Sequence, residues 1–300
     1  MIREFLFSAY RRGVSRFRET SIGRLNPVPI ADRYLFPFLK PESAVVDGHR
    51  LLLDEKDSLR LSLYPYEPRV ASVVKQEVRP GQTVLDVGAN LGYYTLLFAR
   101  AVGVSGRVFA FEPVEDNVKL LEQNIELNGY RNVTVIRKAV IDTTGLGQMF
   151  LSTSCCGNHT LFAPEENSSS VRVETISLDE YFHEYRGRID FVKIDAEGAE
   201  GRIVRGMHFL LNENRHMKIV IEYWPFGLKK SGIPPREFLG FLARHEFELY
   251  RIDERSGLLV HSSPNDLLRN SPNDPGYYVN LLCVPYGTEP GGHEYNHKSC

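Results

Sequence analysis

The chain has 300 residues, 42% hydrophobic and 25% charged, the ordinary mix of a folded globular protein and enough for one α/β domain with additions at both ends. A formal net charge of −2 leaves no global basic field, so no nucleic-acid partner is expected. No apolar run reaches the ~18 residues of a membrane span, the start lacks a signal-peptide core, and Cys155, Cys156, Cys283 and Cys300 show neither C-x-x-C nor zinc-finger spacing, usage that fits a reducing, cytoplasmic location.

Residues 1–35 carry Arg3, Arg11, Arg12, Arg16, Arg18, Arg24 and Arg33 against Glu4, Glu19 and Asp32, and Ile2, Phe5, Leu6 and Ala9 fall at helical spacing. Two readings stand. The helix packs on the protein with a solvated arginine face, the commoner fate of a charge run, or it touches an anionic membrane or an acidic partner. Next, Ala44 to Val46 and His49 to Leu53 flank Asp47-Gly48, a strong hairpin turn pair. Residues 1–70 are thus expected to form a helical segment and a small β cap.

From Gln82 the pattern alternates. Strands are expected at Thr83–Val87, Arg107–Phe111, Val133–Val140, Ile189–Ile194 and Lys218–Glu222, then at Phe247–Ile252 and Tyr277–Val284. Helices are expected at Asn90–Val102, Val114–Asn128 and Glu200–Leu211, and from Pro234-Pro235 to His245. Residues 141–170, rich in Ser, Thr, Gly and Asn, read as loop; residues 71–286 form the main domain, and 287–300 read as a disordered tail. Alternating strands and helices imply right-handed βαβ units and a mainly parallel, Rossmann-like sheet. Ligands of such sheets sit at the carboxyl ends of the strands.

After the first strand stand Asp86, Gly88, Ala89, Asn90 and Gly92. Glycines allow a tight turn and a close approach to a ligand. A dinucleotide fingerprint would need glycine at 90 and 93, where this chain has Asn90 and Tyr93. The second strand ends in Phe111-Glu112-Pro113, where an acid can accept both ribose hydroxyls of an adenosine. A carboxylate at Asp86 would repel a pyrophosphate but favours the sulfonium and ammonium of S-adenosylmethionine. Backbone groups at Val140 are candidates for the adenine edge. Asp142 either accepts from the adenine amino group or is a turn residue before Thr143-Thr144-Gly145.

The segments Val84 to Thr95, Phe111 to Pro113 and Phe191-Val192-Lys193-Ile194-Asp195-Ala196-Glu197-Gly198-Ala199-Glu200 resemble the FkbM family of methyltransferases, as do Tyr66-Glu67-Pro68 and Ile219 to Glu222. The likeness runs over roughly residues 45–285 in the family's order. It implies a class I methyltransferase fold, a seven-stranded sheet with a reversed last strand. It also implies methyl transfer, usually to a hydroxyl of a natural product or sugar.

A neutral hydroxyl is a poor nucleophile, so a positioned base helps. Asp195 and Glu197 follow the fourth strand as candidate catalytic carboxylates; two close acids push one pKa upward. They could instead hold a divalent metal that chelates a diol, or Asp195 could merely cap the next helix. Glu200 reads as a cap. Glu222, ending the fifth strand, and Asn158 and His159 in the polar loop are candidates for the acceptor, with His159 an alternative base. His245 shares a stripe with Phe238, Phe241 and Leu242 and reads as a core histidine. Lys193 interrupts an apolar strand without an account beyond the resemblance. The expected activity is S-adenosylmethionine-dependent O-methylation of a small molecule or glycan. The alternatives are N-methylation of protein or RNA, and a non-catalytic protein that keeps the fold and its cofactor.

Overall fold

The computed structural model describes residues 2–18, 35–152, 156–162, 169–272, 274–291 and 295–296. The chain divides into two units, Met1–Tyr66 and Glu67–Cys300. In the first, helix α1 (Ile2–Arg18) and the short helix α2 (Phe36–Leu39) precede the hairpin of β1 (Ser43–Val46) and β2 (His49–Leu52). Val46 pairs with His49 across Asp47 and Gly48, both at positive φ (49° and 75°), so the expected Asp-Gly turn is the device that reverses the chain. Phe36, Leu51, Leu53 and Leu61 are buried, and the Arg60 guanidinium stacks 4.1 Å over the Phe36 ring.

The second unit begins with α3 (Pro68–Glu77) and continues through β3 (Thr83–Val87), α4 (Tyr93–Val102), β4 (Arg107–Phe111), α5 (Glu115–Leu127) and β5 (Val133–Ile136). Then come β6 (Ala139–Val140), β7 (Gly145–Phe150), β8 (Ser170–Ile176), α6 (Leu178–Tyr181), β9 (Phe191–Ile194), α7 (Glu200–Arg205) and α8 (His208–Glu213). The chain closes with β10 (Lys218–Tyr223), α9 (Pro225–Lys230), α10 (Pro235–Arg244), β11 (Phe247–Ile252), β12 (Leu259–His261), α11 (Pro264–Arg269), β13 (Val279–Pro285) and β14 (Tyr295–Asn296).

The main sheet runs β14-β12-β11-β13-β10-β9-β3-β4-β5. From β5 to β10 the strands are parallel, and β13 enters antiparallel between β10 and β11. Those seven strands, with one reversed, are the class I arrangement; β12 and β14 extend its β11 edge. Strands β3, β9 and β10 are buried on both faces, as parallel strands covered by helices must be. Their apolar side chains form one cluster with α7, α8 and α10. Among the described residues no helix is long and apolar enough to cross a membrane.

Three local departures from the sequence reading have physical causes. The expected strand Val133–Val140 breaks at Arg137-Lys138, and β6 leaves to pair with β8 in a separate three-stranded sheet, β6-β8-β7. Residues 141–170 therefore hold a β-ribbon, not only loop: β7 and β8 expose Leu146 and Val171 and bury Met149, Val173, Thr175 and Ile176, so their apolar alternation is irregular. Residues 153–155 and 163–168 of that stretch lie outside the described residues. The expected helix Glu200–Leu211 is broken at Gly206-Met207, where the Gly206 carbonyl accepts from the Asp179 amide at 2.9 Å, and glycine is needed there because a Cβ would meet the Asp142 Cα at 2.8 Å. In the tail, Tyr295–Asn296 pairs with Leu259–Val260, while residues 292–294 and 297–300 lie outside the described residues.

Candidate active site

The turn after β3 is built from left-handed residues: Gly88 at φ +84°, Asn90 at +51° and Gly92 at +99°. Asparagine tolerates that region better than other non-glycine residues, so Asn90 replaces a glycine without undoing the turn. This is also why α4 opens at Tyr93 rather than Asn90. The amides of Gly88 and Ala89 both donate to the Phe111 carbonyl, at 3.1 and 3.0 Å, pinning the turn to the end of β4. A Cβ on Gly88 would overlap the Asp195 carbonyl oxygen. The close approach that demands glycine is thus made by the chain's own fourth strand end. The Asp195 amide in turn donates to the Val87 carbonyl at 3.1 Å.

Glu112 is 5% exposed and ties the two strand-end turns together. Its Oε2 accepts from the Asn90 amide at 2.9 Å; its Oε1 accepts from the Val114 amide at 3.0 Å and the Asn117 side chain at 3.3 Å. Burial pushes the carboxyl up to about 7 although these donors favour its charge. Pro113 follows half-buried, and Val140 is buried in β6. Asp142 is held by the Arg202 guanidinium at 2.6 Å, with Arg205 at 3.8 Å. That ion pair fixes the β6 turn to α7 and engages Asp142, the residue read either as an adenine acceptor or as a turn residue.

Asp86 and Lys193 are register neighbours on β3 and β9, on one face of the sheet. Asp86 is fully buried, its Oδ2 accepting from the Thr95 hydroxyl and its Oδ1 without a hydrogen-bond partner among the described residues. Burial raises its carboxyl above the ordinary range, and the Lys193 ammonium partly offsets this. Lys193 is 2% exposed; its Nζ donates to Asp195 Oδ2 at 2.8 Å and sits 4.3 Å from the Tyr94 ring centroid. The Tyr94 hydroxyl donates to Glu67 at 2.7 Å. Burial alone would push the Lys193 ammonium down; Asp195, Glu67 and Asp86 outweigh it and hold it up at about 12.

Asp195 keeps its side chain 27% exposed just past β9. It does not cap the next helix: α7 starts at Glu200 behind Ala199, with no side-chain cap. Glu200 instead braces the 195–199 turn, accepting from the Ala196 and Gly198 amides at 2.9 and 3.2 Å, and burial pushes it up to about 7. Glu197 is left-handed (φ +50°), and its carbonyl accepts from the Thr160 hydroxyl at 2.9 Å. Ile221 pairs with Ile194, so Glu222 stands beside Asp195 one register step on. Among the described residues no lysine or arginine pairs with Glu222; its carboxyl is raised well above the ordinary range by burial, then by Asp195, Glu200, Glu197 and Glu67.

The segment 156–160 crosses this region. Cys156 Sγ donates to Asn90 Oδ1 at 3.3 Å, and its carbonyl accepts from Asn117 at 3.3 Å. Asn158 is exposed. His159 Nδ1 accepts from the Ser152 amide at 3.0 Å, so its proton sits on Nε2, and burial holds its pKa down. His245, half-buried, meets His208 at 3.1 Å, well apart from these residues in the fold's helical layer.

Reasoning from sequence missed Glu67, Tyr94 and Lys193 as one connected set, and Tyr278, whose hydroxyl is raised by burial and by Glu222, Glu67 and Asp195. The available signal was the lysine inside an apolar strand: a buried ammonium needs carboxylates, and these are its carboxylates. Among the described residues no group of three or more His, Cys, Asp or Glu is placed to hold a metal ion.

A sheet in this order, with a left-handed turn after its first strand and a buried acid after its second, is the fold of the class I methyltransferases. Residues 86–249 match the methyltransferase FkbM domain, and the chain belongs to that family. Methyltransferase sdnD of Sordaria araneosa is 27% identical over 187 residues, covering 51% of this chain and 69% of that protein. A protein-L-isoaspartate O-methyltransferase of Methanothrix thermoacetophila is 38% identical over 60 residues, 20% of this chain; the match spans only 29% of that relative's length. Among solved structures, Aeropyrum pernix fibrillarin with bound S-adenosyl-L-methionine aligns at 12% identity and a TM-score of 0.41, covering 80% of this chain and 84% of that one.

Proposed function

We propose that the protein methylates a hydroxyl oxygen of a small molecule, sugar or glycan. The observation that carries this reading is that Asp195 and Glu222 stand side by side at the ends of β9 and β10, with Asp195 against the Gly88 turn. The donor, S-adenosylmethionine, supplies a methyl group activated by its sulfonium. The residues that would hold it are Gly88 to Asn90, whose backbone turn leaves no room for a Cβ at Gly88, with Glu112 and Pro113 toward the ribose. Oε2 of Glu112 has a single described donor and keeps a lone pair for another.

The two carboxylates suit different tasks. Asp195 is tied to the buried Lys193 ammonium; protonating it would break that pair, so it serves best as a fixed acceptor that orients the hydroxyl. Glu222 lacks such a cation, and burial with the neighbouring acids raises its carboxyl well above the ordinary range, which makes it the stronger base of the two. Glu222 therefore takes the proton, while Asp195 and the Glu197 turn position the acceptor. The Thr160 hydroxyl holds the Glu197 carbonyl at 2.9 Å, and Asn158 and His159 of the same segment are the candidates to meet the acceptor. The 60-residue isoaspartate matches are too short to inform the acceptor. The cysteine usage favours a reducing, cytoplasmic setting.

The test is a screen of hydroxylated metabolites and glycans for methyl transfer, repeated on the best acceptor with Asp195→Asn and Glu222→Gln. Glu222→Gln should lose roughly 10²–10⁴-fold in kcat, and Asp195→Asn should lose activity while still binding cofactor. Products methylated on nitrogen, or a fully active Glu222→Gln, would contradict the assignment.

A further inference from the structure

Helix α1 has two apolar faces, and among the described residues only one is covered. Phe7, Tyr10 and Val14 recur at helical spacing and face inward: Phe7 and Tyr10 are half-buried, Val14 is buried, and the Tyr10 ring lies 6.1 Å from that of Phe36. Phe5, Leu6 and Ala9 occupy another side of the helix, and all three are exposed, Phe5 by 68% and Leu6 by 46%. A helix that merely packed with an arginine face to solvent would bury these residues. Nearby, α2 exposes Phe38 by 77%, and Leu35 just before it by 52%. Arg3 joins the two helices by donating to the Phe38 and Lys40 carbonyls at 3.0 and 2.8 Å. The patch is therefore a fixed feature of this unit, not one mobile side chain.

Its charge is one-sided. Between Ile2 and Arg18 the sequence holds Arg3, Arg11, Arg12, Arg16 and Arg18 against Glu4 alone, although the whole chain is slightly acidic at −2. Arg11 and Arg12 are exposed. Exposed phenylalanine and leucine beside clustered arginines complement an anionic lipid surface: the rings enter the headgroup boundary while the guanidiniums meet phosphates.

We propose that α1 and α2 dock the protein on anionic membrane surfaces through Phe5, Leu6 and Phe38, with Arg12, on the same side of α1 by helical spacing, supplying the charge contact and Arg11 adding to the local positive field. The proposal is independent of the acceptor and of the catalytic assignment.

Vesicle co-sedimentation of the full chain tests it. Vesicles of phosphatidylcholine alone are compared with vesicles carrying phosphatidylserine, at low and high salt. The full chain should bind the anionic vesicles at least about tenfold better than neutral ones and should release in high salt. The exposed substitutions Phe5→Ser with Leu6→Ser, and separately Phe38→Ser, should weaken binding severalfold with an unchanged circular dichroism spectrum. Arg11→Glu with Arg12→Glu should abolish the preference for anionic lipid. Three results would each overturn the proposal: no binding to anionic vesicles, binding indifferent to these substitutions, or binding to a polyglutamate matrix in preference to vesicles, which would indicate an acidic protein partner.

Discussion

The Lys193 ammonium lies 2.8 Å from the Asp195 carboxylate, two residues further along the same chain, at the point where β9 leaves the sheet. Successive odd-numbered residues share a face of a strand, so the pair needs no special backbone. What it needs is burial, and burial makes Lys193 the counter-ion of three acids from different elements: Asp86 on β3, Glu67 before α3 and Asp195 itself.

Removing that cation is predicted to be expensive. Lys193→Met should destabilise the fold by roughly 3–5 kcal/mol, because it leaves buried carboxylates uncompensated. Those acids can respond by taking up protons, so the loss should be smaller near pH 5 than near pH 8. Urea unfolding of both proteins at the two pH values checks this. Equal losses at both would show that Lys193 acts by packing alone.

Gly88→Ala should be far worse than an alanine at another left-handed glycine. At Gly103 (φ +65°) an added Cβ would meet nothing within 4 Å, so its replacement should cost only the backbone strain, about 1 kcal/mol. At Gly88 (φ +84°) the same strain is joined by a collision with the Asp195 carbonyl, and the cost should exceed that of Gly103→Ala by about 2 kcal/mol or more. Thermal denaturation of the two variants side by side measures the difference.

Two buried acids predict the pH dependence of stability. Burial raises Glu112 and Glu200 from 4.5 to about 7 in the fold. Groups raised in this way bind protons more tightly when folded, so their contribution is fully present below pH 4.5 and is lost as pH rises through 7. The cofactor-free protein should therefore lose stability between about pH 4.5 and 7 on account of these groups. Glu200→Gln keeps an oxygen for the Ala196 and Gly198 amides and removes the charge. It should match the wild type below pH 4.5 and exceed it by about 1–2 kcal/mol at pH 8. Melting temperatures across that range decide the point.

The sheet was legible because its parallel strands are short apolar runs between strong helical stripes, and Asp47-Gly48 announced the hairpin. The β7–β8 ribbon was not legible, since its exposed Leu146 and Val171 break the alternation that buried Met149, Val173, Thr175 and Ile176 would otherwise mark. In the site, strand-end position singled out Asp195, Glu112 and Glu222, and in the fold Glu112 holds the Asn90 turn while Glu222 stands beside Asp195. Sequence could not show that Asp142 would be taken by Arg202, a residue 60 positions away. Nor could it show that glycine at 88 answers to Asp195: both facts depend on where separate strands end in space.

Direct calorimetric titration with S-adenosylmethionine tests the central claim most plainly, that Gly88, Asn90 and Glu112 frame the donor's site. The wild type should bind one equivalent with a Kd in the range of about 1 μM to 1 mM, S-adenosylhomocysteine should compete and NAD should not, and Glu112→Gln should fold yet bind at least about tenfold more weakly. No heat of binding with the wild type, or unchanged affinity in Glu112→Gln, would contradict it.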